Sequence, residues 1–167
     1  MNLKSEFLIE IESRGFIYQA SDLKALDDLM SKNKITAYIG FDITSDSLHI
    51  GSLVQLMLLN WLDHYNHNTI ALVGGGTTLV GDPSGKDATR KIMSLDEISK
   101  NIKNIEKTFS QFIDLKNRGK IINNYEWLSK LNYIEFLRDI GSKLTLNKML
   151  TYESVKNRLD REQPLSF

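Results

Sequence analysis

Residues 43–52 read Ile-Thr-Ser-Asp-Ser-Leu-His-Ile-Gly-Ser, a short polar stretch between two segments of different period. Before it, residues 35–41 have the β-branched and aromatic character of a strand. After it, Val54, Met57, Leu58, Trp61, Leu62 and Tyr65 recur at helical spacing. A strand that turns through small polar residues into a helix brings the helix's first amides to the strand's carboxyl end. Those amides have no partners inside the helix, and the macrodipole favours an anion beside them. Ser47 or Asp46 is the expected cap of that helix. His49 brings an imidazole able to donate to an anionic oxygen, and the bare backbone at Gly51 leaves room for a ring to pack on it. Taken alone, these letters also describe an ordinary cap with a surface histidine.

Working outward, Phe7, Leu8 and Ile11 mark a first helix ending near Gly15, and Ser21 stands where it would cap a second carrying Leu23, Leu26 and Leu29. In the helix over 53–65, Leu53, Leu56 and Leu59 extend the apolar stripe nearly all round, which predicts burial on several sides. His64, Asn66, His67 and Asn68 form a polar stop that reads as a C-terminal cap, and no metal site is made from them. Residues 69–73 are a continuous apolar run of the kind a buried parallel strand shows, ended by Gly74, Gly75 and Gly76. Ser94 and Glu97 have capping-box spacing ahead of a long helix with Ile98, Ile102, Ile105, Phe109 and Phe112 along one face. Residues 120–123 are a short third strand, 133–140 a helix closed by Gly141, and 151–161 another helix. Without repeats or linkers, the chain reads as one domain over 1–167, with 1–33 a helical segment inside it. The alternation of strand and helix predicts an α/β fold, the first half of a doubly wound parallel sheet with flanking helices.

Composition narrows the chemistry less. A hydrophobic content of 41% is enough for a real core, and equal numbers of basic and acidic residues, 21 each, show no global excess that would advertise nucleic acid. The absence of cysteine removes thiolate catalysis and disulfides and fits a reducing compartment. With neither a signal-peptide core nor a run of membrane-spanning length, the expected location is cytoplasmic.

The remaining glycine-rich segments fail the best-known nucleotide signatures. In the stretch around Gly85 and Lys86, the first position of a P-loop is Val80 and the final hydroxyl position is Asp87. In the run from Gly74, Leu79 occupies the place of the third glycine of a dinucleotide fingerprint. Asp82, between a glycine and Pro83, would aim its carboxylate at a substrate ammonium or bond its own turn. Lys86 and Arg90, four residues apart in a polar stretch, would close on phosphates or remain solvated. Tyr38 lies near a strand end, where a phenol reaches either a crevice or the core.

The ordered combination is more specific than its parts. Residues 38–42 (Tyr-Ile-Gly-Phe-Asp), Thr44, 47–51 (Ser-Leu-His-Ile-Gly), 71–77 (Ala-Leu-Val-Gly-Gly-Gly-Thr) and 81–86 (Gly-Asp-Pro-Ser-Gly-Lys) resemble the start of the bacterial tyrosyl-tRNA synthetases. Residues 123–127 (Asn-Asn-Tyr-Glu-Trp) and 136–141 (Phe-Leu-Arg-Asp-Ile-Gly) continue that resemblance in order across the chain. It implies a class I aminoacyl-tRNA synthetase, a ligase that activates tyrosine with ATP and Mg2+ and passes the tyrosyl group to tRNA(Tyr). By the same resemblance, Tyr38 would bond the substrate phenol and Asp82 its ammonium, with Thr77 and Asn124 in the tyrosine pocket. Gly40, Asp42, Thr44, His49, Gly51 and Ser52 would line the ATP site. Thr44 and His49 would stabilise phosphate charge, and Lys86 and Arg90 would close on pyrophosphate.

Two departures qualify this. Ser52 stands where the signature carries a second histidine, so one hydrogen bond is retained and a positive charge is not. Residues 163–167 (Gln-Pro-Leu-Ser-Phe) come just before the tyrosine, glutamine and aspartate that complete the family's amino-acid pocket. The expectation is therefore an N-terminal portion that does not aminoacylate alone, either acting with a separately encoded second half or serving as a non-catalytic binding module or relic. The family's usual homodimer makes a second copy an expected partner. An unpaired sheet edge and an uncovered apolar face on the helix over 53–65 are expected too.

Overall fold

The computed structural model describes residues 2–80, 93–152, 155, 156 and 159. Described residues up to 80, with 93–125, form one compact unit, and those from 126 onward belong to a second.

In the first unit the elements run α1 (Glu6–Ser13), α2 (Leu23–Met30), β1 (Thr36–Phe41), α3 (Ile50–His64), β2 (Asn68–Val73), α4 (Gly75–Val80), α5 (Leu95–Phe109) and β3 (Gly119–Asn123). The three strands are parallel in the order β1-β2-β3, so α3 and α5 lie in the two crossovers. This is the α/β arrangement expected from the alternating periods.

Register assigns the two sheet faces. Phe41 pairs with Val73, and Val73 with Asn123, while Ile39, Ala71 and Ile121 form the next row of the same face. Phe41, Ala71 and Val73 are buried together with Leu56, Leu59 and Leu62 of α3 and Ile98, Ile105 and Phe109 of α5. The Phe41 and Phe109 rings meet edge to face at 4.8 Å. Each of these side chains larger than Ala71 stabilises the fold by about 1.5–3 kcal/mol, so this face holds the unit together. On the opposite face, Tyr38 aligns with Ile70 and Lys120 and is 68% exposed.

Burial of α3 departs from the expectation of an all-round core helix. Leu56, Leu59 and Leu62 are buried, whereas Ile50 is 82% and Val54 56% exposed. One sheet face accepts one stripe of the helix and α1 packs near its end, with Phe7 against Tyr65 and Arg14 over the Trp61 ring, so the part of the expected uncovered face that stays exposed is Ile50, Leu53 and Val54 in its first turns. Among the described residues the outer edge of β1 is likewise unpaired, apart from Gly40 C=O, which accepts from Gln55 Nε2 at 3.4 Å.

Long-range polar contacts join the elements. The buried Asp27 carboxylate of α2 accepts from the amides of Lys4 and Ser5 at 2.8–3.1 Å, fixing the start of α1. Asp63 at the end of α3 accepts from Arg118 Nε and the Asp114 amide, anchoring the turn before β3. The capping box of Ser94 and Glu97 is formed at α5. α2 is capped by Asp22 in place of the expected Ser21: the Asp22 carboxylate accepts from Ala25 N at 2.9 Å. A hydroxyl one residue earlier cannot reach the same amide.

α6 (Tyr125–Leu128) begins at the last residue of the first unit. The second unit contains α7 (Tyr133–Asp139), a 3-10 turn over Gly141–Lys143 and α8 (Leu146–Met149). Asn132 caps α7 through the amides of Ile134 and Glu135. Tyr133, Ile134 and Leu146 are 66–69% exposed. The helix expected over 151–161 lies largely outside the described residues.

Candidate functional site

The carboxyl ends of the strands are stitched together by backbone bonds that continue past the regular sheet. Gly74 N donates to Phe41 C=O at 2.9 Å, and Asn124 N donates to Val73 C=O at 3.0 Å. This brings the turn after β1, the start of α4 and the end of β3 into one place.

At the end of β1, Gly40 and Asp42 are exposed while Ile43 between Asp42 and Thr44 is fully buried. Ile43 N donates to Thr78 Oγ1 at 3.2 Å, so the turn is held from below by α4. That bond and the burial of Ile43 leave Asp42 and Thr44 on the solvent side.

His49 caps α3, where Ser47 or Asp46 was expected. Its Nδ1 accepts from Gly51 N at 2.9 Å, so in the neutral ring the hydrogen sits on Nε2, directed away from the helix start. The open space at Gly51 is also differently used than the sequence suggested. A β-carbon there would lie 2.7 Å from His49 Cε1, so the ring that needs the bare backbone is the neighbouring imidazole. Ser52 is buried, with its amide bonded to His49 C=O at 2.9 Å.

α4 was not legible in the glycine run, and its first turn is fixed by β3. Gly76 N donates to Asn124 Oδ1 at 2.7 Å, and Asn124 Nδ2 donates to Thr77 Oγ1 at 3.3 Å, with Asn124 only 8% exposed. Thr77 Oγ1 in turn donates to Gly74 C=O at 3.2 Å. A β-carbon at Gly75 would collide with the side-chain oxygen of Asn123, which accepts from Tyr125 N. Asn124 and Thr77 are therefore joined to each other, and the Asn124 amide shapes the wall before it reaches any ligand.

The structure thus gathers Gly40, Asp42, Thr44, His49, Gly51 and Ser52 along one β1–α3 turn, beside a second wall carrying Thr77 and Asn124. Tyr38 is two residues before Gly40 on the open sheet face. Asp82, Lys86 and Arg90 lie outside the described residues. Sequence reasoning missed Asn123 and Gln55; adjacent asparagines at a strand end were the available signal for the first. Among the described residues no helix is long and apolar enough to cross a membrane.

Comparison with known proteins agrees with this fold. The family of class I tRNA synthetases (W and Y) matches residues 30–167. The tyrosine–tRNA ligase of Pelagibacter ubique is 55% identical over 166 residues, covering 98% of this chain and 41% of that protein. That of Nitrobacter winogradskyi is 53% identical, covering 98% and 40%. The chain spans about two fifths of the length of these curated relatives. Among solved structures, a C-terminally truncated Aspergillus nidulans mitochondrial tyrosyl-tRNA synthetase superposes with a TM-score of 0.79 at 27% identity, covering 96% of this chain and 49% of that one. The corresponding Coccidioides posadasii structure gives 0.75 at 28% identity, covering 96% and 46%. By sequence and by fold, the chain belongs to the class I tRNA synthetases of the tryptophan and tyrosine (W and Y) family.

Proposed function

We propose that this chain carries the tyrosine- and ATP-facing turn of a tyrosine–tRNA ligase, and that the 167-residue chain alone does not complete the reaction. The supporting observation is His49, held by Gly51 N at the start of α3 with its Nε2–H unpaired among the described residues, beside the walls built by β1 and Asn124. In the proposed reaction the tyrosine carboxylate attacks the α-phosphorus of ATP, and pyrophosphate leaves. The carboxylate is the nucleophile, so positioning and charge stabilisation do the work and no general base is needed. Thr44 and His49 donate to phosphate oxygens; Gly40, Asp42, Gly51 and Ser52 line the nucleotide, and magnesium arrives with it as part of the substrate. Tyr38 meets the substrate phenol, Thr77 and Asn124 shape its pocket, and Asp82, Lys86 and Arg90 serve the ammonium and the pyrophosphate. The buried Ser52 keeps polarity without charge.

The openness of the site supports the second half of the proposal. Tyr38 is 68% exposed and β1 has a free outer edge among the described residues, so water is not excluded from the reacting groups. A separately encoded second half supplying the remaining walls, with tRNA(Tyr) as acceptor in the cytoplasm, fits that openness. The exposed apolar side chains of α7 and α8 favour a second copy of the chain as a further partner.

Calorimetry with ATP and with tyrosine, paired with tyrosine-dependent ATP–pyrophosphate exchange, tests both parts. Binding without exchange is the expected result. Exchange clearly above background would sink the claim of incompleteness, and no binding of either ligand would sink the site. Light scattering decides between monomer and dimer.

A further inference from the structure

At the amino ends of the strands, opposite the candidate site, His67 is 5% exposed. It follows Asn66, whose φ of 62° turns the chain out of α3, and its own amide donates to Leu62 C=O at 2.9 Å. Its imidazole stands at 84° to the Phe7 ring of α1, with centroids 6.0 Å apart. Nδ1 accepts from Ile35 N at 3.3 Å, and in the same register Asn68 N donates to Ile35 C=O at 2.8 Å. One side chain, carried on the turn from α3 into β2, therefore meets both α1 and the residue just before β1.

A ring nitrogen that accepts an N–H carries no hydrogen. Protonating it sets one donor against another, breaks the bond to Ile35 and leaves a cation against an apolar ring. Among the described residues the charged groups on the adjoining elements offer no compensation. Lys34, just before Ile35, repels a second positive charge; α1 presents Phe7, with Glu10 paired to Arg14; Asp63 of α3 is engaged by Arg118. Burial first, and Lys34 second, hold the His67 imidazole below the usual histidine range.

We propose that His67 is a proton-operated latch: neutral, it ties α1 and the α3–β2 turn to the start of β1, and protonated, it lets them go. Because the folded state prefers the neutral ring, the unfolded chain binds more protons as the medium acidifies. The stabilisation is complete above the ordinary histidine value of about 6.5 and is lost as pH falls below it toward the folded value.

Nuclear magnetic resonance of the whole chain tests this through two signals, the titration of the His67 Cε1 proton and the exchange protection of the Ile35 amide. The expected results are a His67 midpoint below that of the same residue in the urea-unfolded chain, and loss of Ile35 protection, corrected for intrinsic exchange, between about pH 7.5 and about pH 5. His67→Asn places a non-titrating oxygen near the position of Nδ1, so its Ile35 protection should stay level over that range. A His67 midpoint at or above the unfolded one overturns the latch, as does protection in the variant that falls in step with the unsubstituted chain. If the variant does not fold, the titration of the unsubstituted chain decides.

Discussion

The amide of Gly51 donates to Nδ1 of His49 at 2.9 Å, and a β-carbon on Gly51 would stand 2.7 Å from Cε1 of that same ring. The glycine and the histidine are one device: the missing side chain lets the imidazole fold over the helix start, and the amide selects its tautomer.

Gly51→Ala should therefore push the His49 ring off the helix start, and the lost cap and alanine's better helix propensity, each about 1 kcal/mol, should roughly offset. ATP affinity measured by calorimetry should fall by about 10-fold or more, as a misplaced group of this kind does, while the melting temperature changes little. Unchanged ATP affinity would separate His49 from the nucleotide.

Asn124→Ala removes the acceptor of Gly76 N and the donor to Thr77 Oγ1 in a buried place. Urea unfolding should show a loss of about 1–3 kcal/mol. Asn124→Asp should cost less, because the carboxylate still accepts from Gly76 N and the Thr77 hydroxyl can turn to donate to it.

Asp27→Ala strands the amides of Lys4 and Ser5 at the start of α1, and urea unfolding should register a loss of about 2–3 kcal/mol. Lys4→Ala removes the ion pair with Asp28, which lies in solvent, and should leave the unfolding midpoint in place. The contrast separates a buried carboxylate bonded to backbone from a surface pair.

Thr69 Oγ1 is fully buried and has no hydrogen-bond partner among the described residues. Its neighbours in register, Ala37 and Gly119, are small. Thr69→Val keeps the shape and removes the unsatisfied hydroxyl, so stability should be unchanged or higher by about 1 kcal/mol in thermal or urea unfolding. A clear loss would mean that the hydroxyl is satisfied after all.

The periods of the chain carried much of the fold. The strand before residue 43, the apolar run at 69–73 and the capping box at Ser94 and Glu97 all appear where residue pattern put them, because each is written in neighbours a few positions apart. The caps at His49 and Asp22 were misread by one to three residues, since several adjacent polar side chains can serve a helix start and only backbone geometry selects one. α4 was missed because three glycines read as a stop; its first turn is held by Asn124, 48 positions away from Gly76.

By itself the sequence determined the order of strands and helices, the polar turn at the end of β1 and the ordered motifs that mark the family. Those depend on local spacing. Tertiary structure alone decided that Asn124 braces the wall carrying Thr77, that the space at Gly51 belongs to His49, and that His67 is a buried acceptor and no mere cap. A side chain's role there depends on which distant amide lies within about 3 Å of it, and that follows from the parallel register of the three strands.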